Sequence, residues 1–211
     1  MSVTAILPLR LDSQRLSYKI TYKIWGQTLH EIAIANLYAL IKSGVVDTAA
    51  IYASEYVWER LQCTKRDLAW IMETEPAKYM TLDGCRIALE TYPDSDVVCV
   101  VYCTSPFIER RSLAACIRAV RTGGYDCATT VRKCNARIWR NGQQITTDAN
   151  RTQDREPAYI CTNAIWVASR ELVESGTVIS DNIFLRPVTP LEAIDIDEQT
   201  DYDLANRVNV L

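Results

Sequence analysis

The residues best equipped for chemistry fall in two clusters at opposite ends of the chain. The first is Leu9-Arg10-Leu11-Asp12-Ser13-Gln14-Arg15-Leu16-Ser17-Tyr18-Lys19, which packs three cations and two serine hydroxyls into a short stretch after an apolar run. No glycine precedes Gly26, which excludes both the glycine-rich dinucleotide turn and the glycine-lysine phosphate loop. A loop that meets anions through Arg10, Arg15 and Lys19 suits a triphosphate, whose charge needs neutralising as well as positioning. A solvated basic loop would carry the same charges, and the place directly after the first strand favours the functional reading.

The second cluster is Ile194-Asp195-Ile196-Asp197-Glu198. Asp195 and Asp197 alternate with isoleucines and therefore point the same way from an extended segment. Two carboxylates on one side make a hard-oxygen site suited to magnesium, which keeps several waters and binds phosphates. Acids near a helix start also serve as caps, so this pair is informative mainly in company. A cationic loop together with a carboxylate pair is the equipment of magnesium-assisted attack on a phosphate.

Such clusters need a frame, and the apolar pattern supplies one. Thr4 to Leu9 reads as a strand buried on both faces, followed by a helix over Thr28 to Ser43 that Gly44 stops. Then come a strand at Thr48 to Ala53, helices at Val57 to Cys63 and Leu82 to Thr91, and the β-branched strand Asp96 to Tyr102. A helix at Ser112 to Arg121 and a strand at Asp126 to Val131 complete a doubly wound, mostly parallel α/β sheet of Rossmann-like type. Residues 133–158 break the rhythm: they are polar, and the turn signal Asn141-Gly142 lies between Ile138, Trp139 and Ile145 as in a hairpin. This segment reads as an arm. A strand at Tyr159 to Val167, a short helix from Ser169, a strand end at Ile194 to Asp197 and a closing helix from about Thr200 follow.

At 211 residues, one domain spanning 1–211 is expected. The net charge of −3 gives no broad attraction to nucleic acid or anionic membranes, so anion binding must be local. The first residues lack the pattern of a secretory signal, no apolar stretch is long enough to span a membrane, and a cytoplasmic location is expected. The eight cysteines are scattered without a Cys-x-x-Cys pair, and His30 is the one histidine, so buried thiols are expected rather than a zinc site.

With these residues in view, the chain resembles the cytidylyltransferases that make CMP-activated sialic acid and ketodeoxyoctulosonate. Arg10, Ser13, Arg15, Leu16 and Lys19 match that family's first loop, Ala-Arg-x-x-Ser-x-Arg-Leu-Pro-x-Lys. Thr104-Ser105-Pro106 resembles part of its Gln-Pro-Thr-Ser-Pro-Leu-Arg motif, and Arg151-Thr152-Gln153-Asp154 with Pro157 and Tyr159 its Arg-x-Gln-Asp-x-Pro-x-Tyr stretch. Asn163-Ala164-Ile165-Trp166 resembles Asn-Gly-Ala-Ile-Tyr, and Asp195-Ile196-Asp197 with Asp201-Tyr202 the terminal acidic motif.

The resemblance implies that Arg10, Ser13, Arg15, Lys19, Thr104 and Ser105 bind the nucleotide, that Asp195 and Asp197 hold Mg2+, and that Gln153, Tyr159 and Asn163 lie toward the acceptor. Arg10, Lys19 and Asp197 would act on the reacting phosphates. It also implies a homodimer built through the arm, with CTP and an acidic sugar as substrates and a CMP-sugar and pyrophosphate as products. The chain departs from the family's pattern at Leu11 and Asp12, which stand where small residues are usual. Tyr102 replaces a glutamine, Ile108 an arginine, and the second-strand motif reads Ala53-Ser54-Glu55. These changes cluster around base and sugar recognition. They leave open a phosphonate or another small acid as acceptor, and a non-catalytic nucleotide-binding relative.

Overall fold

A computed structural model describes residues 1–61, 68–73, 80–146 and 151–208. Cys63, expected at the end of a helix, and residues 147–150 of the arm lie outside them. In chain order the elements are β1 (Val3–Pro8), β2 (Lys23–Ile24), β3 (Gln27–Thr28), α1 (Leu29–Lys42), β4 (Thr48–Ala53), α2 (Glu55–Leu61), β5 (Ala69–Met72), α3 (Met80–Thr91) and β6 (Val97–Val101). They continue as α4 (Arg110–Arg121), β7 (Cys127–Cys134), β8 (Trp139–Arg140), β9 (Gln143–Gln144), β10 (Ala158–Ser169), α5 (Arg170–Glu174), β11 (Ile183–Pro187) and α6 (Gln199–Arg207).

Seven strands form one sheet in the order β11-β7-β10-β6-β1-β4-β5. Strand β1 pairs in parallel with β4 and β6, β4 with β5, and β7 with β11. Among the described strands of this sheet, β10 alone runs antiparallel, to both β6 and β7. The sheet is therefore the mostly parallel, doubly wound one expected. The chain leaves β1 toward β4 and β5 and then returns to β6 on the other side, so the order reverses at β1. A crevice opens at such a switch point, beyond the carboxyl ends of the strands.

Both faces of the sheet are covered, which is why β1 and β6 are buried at every position. On one face Leu7 and Val101 join Leu37 and Leu40 of α1 and Leu113 and Ile117 of α4. On the other, Ile6, Val98 and Val100 meet Cys85 and Ala88 of α3 and Val173 of α5. Helix α1 starts on a capping box: the Thr28 hydroxyl accepts from the Glu31 amide, and the Glu31 carboxylate accepts from the Thr28 amide at 2.8 Å. It ends before Gly44, whose φ of +68° is the left-handed conformation that glycine adopts without steric cost.

Three features differ from the sequence reading. Strands β5 and β11 were not anticipated; both are short and lie at the sheet edges, where an apolar pattern is weak. The expected strand end at Ile194 to Asp197 is not a strand. It is an extended segment held by one backbone bond, from the Ile196 amide to the Thr104 carbonyl at 2.8 Å, with Ile196 fully buried. The alternation survives because Ile196 plugs the core, not because a ladder enforces it.

The arm begins where β7 and β10 outrun the sheet as a two-stranded ribbon, with Lys133 opposite Tyr159. The hairpin β8–β9 turns on Asn141 and Gly142, both at positive φ (51° and 78°), the primed turn that this dipeptide favours. The seven described cysteines are free, and Cys85, Cys99, Cys103, Cys116 and Cys127 are buried. His30 is also buried, and its Nδ1 donates to the Ile20 carbonyl at 2.9 Å, tying the first loop to α1. Among the described residues no helix is long and apolar enough to cross a membrane.

Candidate active site

The loop after β1 is pinned by its apolar residues. Leu9, Leu11, Leu16 and Ile20 are buried, and the Tyr18 amide donates to the Leu11 carbonyl at 3.1 Å, closing the loop on itself. With the leucines turned inward, the interspersed polar residues are left to face the crevice. A cleft of about 680 Å3 opens there, and Arg10, Ser13, Arg15, Lys19, Thr104, Asn163, Asp195 and Asp197 all line it. Two clusters almost a full chain apart in sequence thus meet in one site.

The contacts are direct. Lys19 Nζ lies 2.6 Å from one oxygen of Asp197 and an Arg15 nitrogen 2.7 Å from the other. Burial on its own would raise the Asp197 carboxyl, but Lys19 and Arg15 outweigh it and hold the group below its ordinary range. Asp195 goes the other way. Burial and the neighbouring Asp197 charge raise it, against opposing pulls from Thr104, Lys19 and Asn163. Asp195 Oδ1 is buried and has no hydrogen-bond partner among the described residues. A carboxylate oxygen stripped of water and left unpaired is costly, and a divalent cation with a taste for oxygen would satisfy it. The donor set therefore fits magnesium, which needs only one or two protein carboxylates.

The backbone that carries these carboxylates is itself held from two sides. Asp201, at the start of α6, accepts from the amides of Asp197 (3.0 Å) and Glu198 (2.8 Å). On the other side, the buried Glu192 accepts from the Ser112 hydroxyl at 2.7 Å, the Glu109 amide at 3.3 Å, and the Thr189 amide and hydroxyl at 3.1 Å each. This joins the turn before Asp195 to the start of α4. The sequence reading missed Glu192; its signal, a Thr-x-x-Glu pattern at Thr189, resembles a capping box with no helix after it.

Asn163 is aimed by a bulge. It sits at φ +55°, between the two parts of the β7–β10 ladder whose register shifts from Cys161 to Trp166. Asparagine tolerates that conformation better than most residues, and bulges redirect side chains in this way. The cleft is also lined by groups to which the sequence reading gave no role in the site: Tyr102, Cys103, Trp166 and Thr81. Tyr102 and Thr81 share a 2.6 Å hydroxyl contact, and burial pushes the Tyr102 phenol up to about 12.

Three expected residues are placed elsewhere. Ser105 is buried, its hydroxyl without a partner among the described residues, and does not line the cleft. The chain turns after β6, with Tyr102, Cys103 and Thr104 on the cleft and Ser105 in the interior. Gln153 lies in an exposed turn of the arm and Tyr159 on the exposed ribbon, and neither lines the cleft of its own chain.

A second chamber of about 590 Å3 lies on the other side of the loop, which acts as a partition: Arg10, Asp12, Ser13 and Gln14 line both spaces. Ser54 and Glu73, just after β4 and β5, and Tyr56 of α2 also line it. On the partition, Arg10 and Asp12 form a two-pronged pair.

Comparison with known proteins agrees with this geometry. No curated protein sequence matches the chain significantly. Among solved structures, the chain is similar to 4-diphosphocytidyl-2C-methyl-D-erythritol synthase from Anaerococcus prevotii, with TM-score 0.70 and 14% identity over 97% of this chain and 94% of that one. It is equally similar to a CMP:2-keto-3-deoxy-manno-octonic acid synthetase complexed with CTP, at TM-score 0.70 and 12% identity over 98% and 97% of the two chains. The bifunctional IspDF of Campylobacter jejuni matches at TM-score 0.68 and 14% identity, over 95% of this chain and 53% of that one. At such identities the likeness is one of fold. A family model described as cytidylyltransferase matches residues 4–209, nearly the whole chain, and this protein therefore belongs to the cytidylyltransferase family.

Proposed function

We propose that the protein transfers CMP from CTP to an acidic sugar of the sialic-acid or ketodeoxyoctulosonate kind, releasing pyrophosphate. An acceptor oxygen, the anomeric hydroxyl in such sugars, attacks the α-phosphorus. The bond from that phosphorus to the bridging oxygen breaks, the pyrophosphate carries off the electron pair, and the acceptor proton passes to solvent. Arg10, Arg15 and Lys19 hold the departing pyrophosphate, with Ser13 and Thr104 as hydrogen-bonding partners of the nucleotide. Asp195 and Asp197 hold Mg2+, which when bound supplies charge neutralisation at the phosphate oxygens. Asn163 positions the acceptor beside them. The observation that carries this reading is the meeting of the cationic loop with the orphaned Asp195 oxygen in one cleft.

Gln153 and Tyr159 have a place in this scheme if they serve a second copy. The arm exposes Trp139, Ile145 and Tyr159, apolar surface that suits a homodimer in which each arm covers the other cleft. Mixing Asp197→Ala and Tyr159→Ala proteins would then restore activity, because one of the two sites in the mixed dimer is intact. Absence of complementation despite subunit exchange would place Tyr159 outside the site. The reading includes a cytoplasmic location, where nucleoside triphosphates are held.

The test is pyrophosphate release from each of the four nucleoside triphosphates with magnesium and a panel of acids, with Asp197→Ala as control. Release from CTP only with a 2-keto-3-deoxy sugar acid, lost in the variant, is the expected result. Release with a phosphonate or another small acid instead would favour a second reading, for which Tyr102 on the cleft wall is the motivating residue. Silence across the whole panel would sink both.

A further inference from the structure

Arg10 and Asp12 stand two residues apart on the loop after β1. Asp12 accepts twice from one guanidinium, from Nε to Oδ1 at 3.1 Å and from a terminal nitrogen to Oδ2 at 3.0 Å. This fork is the geometry by which arginine grips a phosphate, so the Asp12 carboxylate occupies the seat a phosphate would take. The remaining two loop cations are paired differently. Arg15 and Lys19 both lie on Asp197, a carboxylate that the proposed reaction commits to the metal, which frees both of them. Among the described residues, Asp12 forms an ion pair with Arg10 and with no other cation. Its side chain is 70% exposed and lines both chambers, and the Arg10 hydrogen bond holds its carboxyl below the ordinary range, so it stays charged at neutral pH.

We propose that Asp12 is a specificity-determining residue that competes with pyrophosphate for Arg10 and so weakens the cleft's hold on that product. The inference rests on the proposed assignment of Arg10 to the departing pyrophosphate. While the β- and γ-phosphates are still bonded to the nucleoside, the contacts of base and ribose keep them at Arg10 against this competitor. Once the bond to the α-phosphorus has broken, pyrophosphate is held by the cations alone, and the Asp12 carboxylate reclaims the guanidinium. CMP lacks the displaced group, so its affinity is insensitive to Asp12.

The test is calorimetric titration of magnesium pyrophosphate, and separately of CMP, into the wild-type protein and Asp12→Asn, with Asp12→Ser as a second variant and thermal melting to verify folding. Exposed ion pairs act within about five-fold, and removal of a like charge beside the ligand adds to that. Pyrophosphate is therefore expected to bind about three- to ten-fold tighter in both variants, less so at high salt, with CMP affinity changed less than about two-fold. In an Arg10→Gln background the Asp12 substitutions should have no effect. Unchanged or weaker pyrophosphate binding, an equal gain for CMP, or a gain that persists without Arg10 would each overturn the proposal while leaving the phosphate cleft intact. Failure of every form to bind pyrophosphate would instead overturn the cleft assignment, and this inference with it.

Discussion

Replacing Glu192 by alanine should destabilise the protein more than its distance from the reacting groups suggests. The side chain is 4% exposed and accepts from four donors. Of these donors, the Ser112 hydroxyl is the one water cannot reach, since Ser112 is 1% exposed. Stranding a buried donor costs about 1–3 kcal/mol, and each bond lost by the more exposed donors about 0.5–1 kcal/mol. The sum is about 2.5–6 kcal/mol, which for a chain of this size lowers Tm by roughly 5–24 °C. Glu192→Gln keeps one carbonyl oxygen and should cost about half as much. Burial raises the Glu192 carboxyl, but the hydrogen bonds from Ser112, Thr189 and Glu109 overcome this and leave it below its ordinary value of 4.5. With the folded value depressed, the unfolded chain takes up protons first as pH falls. The contribution is therefore complete above pH 4.5 and is lost as pH drops through the folded value. Thermal unfolding across pH 3–7 reads all of this. An alanine variant melting within about 2 °C of the wild type, or one whose deficit is unchanged at low pH, would refute the reasoning.

Asp195→Asn should raise the magnesium concentration needed for half-maximal activity by at least about ten-fold without lowering Tm, because it removes a buried negative charge that burial and Asp197 both disfavour; a drop in Tm would mean the charge is needed structurally. Thr28→Ala removes the side-chain half of the α1 capping box and should cost about 1 kcal/mol in denaturant unfolding. Leu37→Ala opens a cavity under α1, where Leu37 is fully buried, and should cost about 2–5 kcal/mol; a smaller loss would mean that the core closes over the gap.

Much of the frame was legible in the sequence because its signals are local. Strands β1, β4 and β6 are continuous apolar runs, as two-sided burial requires, and α1 carries its own start and stop in Thr28, Glu31 and Gly44. The cationic loop and the acidic pair were legible as compositions, and the ordered family motifs linked them. Edge strands β5 and β11 escaped because a short strand at a sheet margin needs neither a long apolar run nor strict alternation.

What tertiary structure alone decided is which of those charges face one another. Lys19 and Asp197 touch at 2.6 Å although 178 positions separate them, and no periodicity encodes such a distance. The same holds for Ser105, which the chain's turn sends into the core while Thr104 faces the cleft, and for Asn163, which a bulge swings toward Asp195. The residue types and their spacing determined a phosphate-handling α/β protein, since charge and burial pattern are properties of the chain itself. Packing chose the pairings, Arg10 with Asp12 and Arg15 and Lys19 with Asp197, because an ion pair forms only where the fold brings two side chains within a few ångströms.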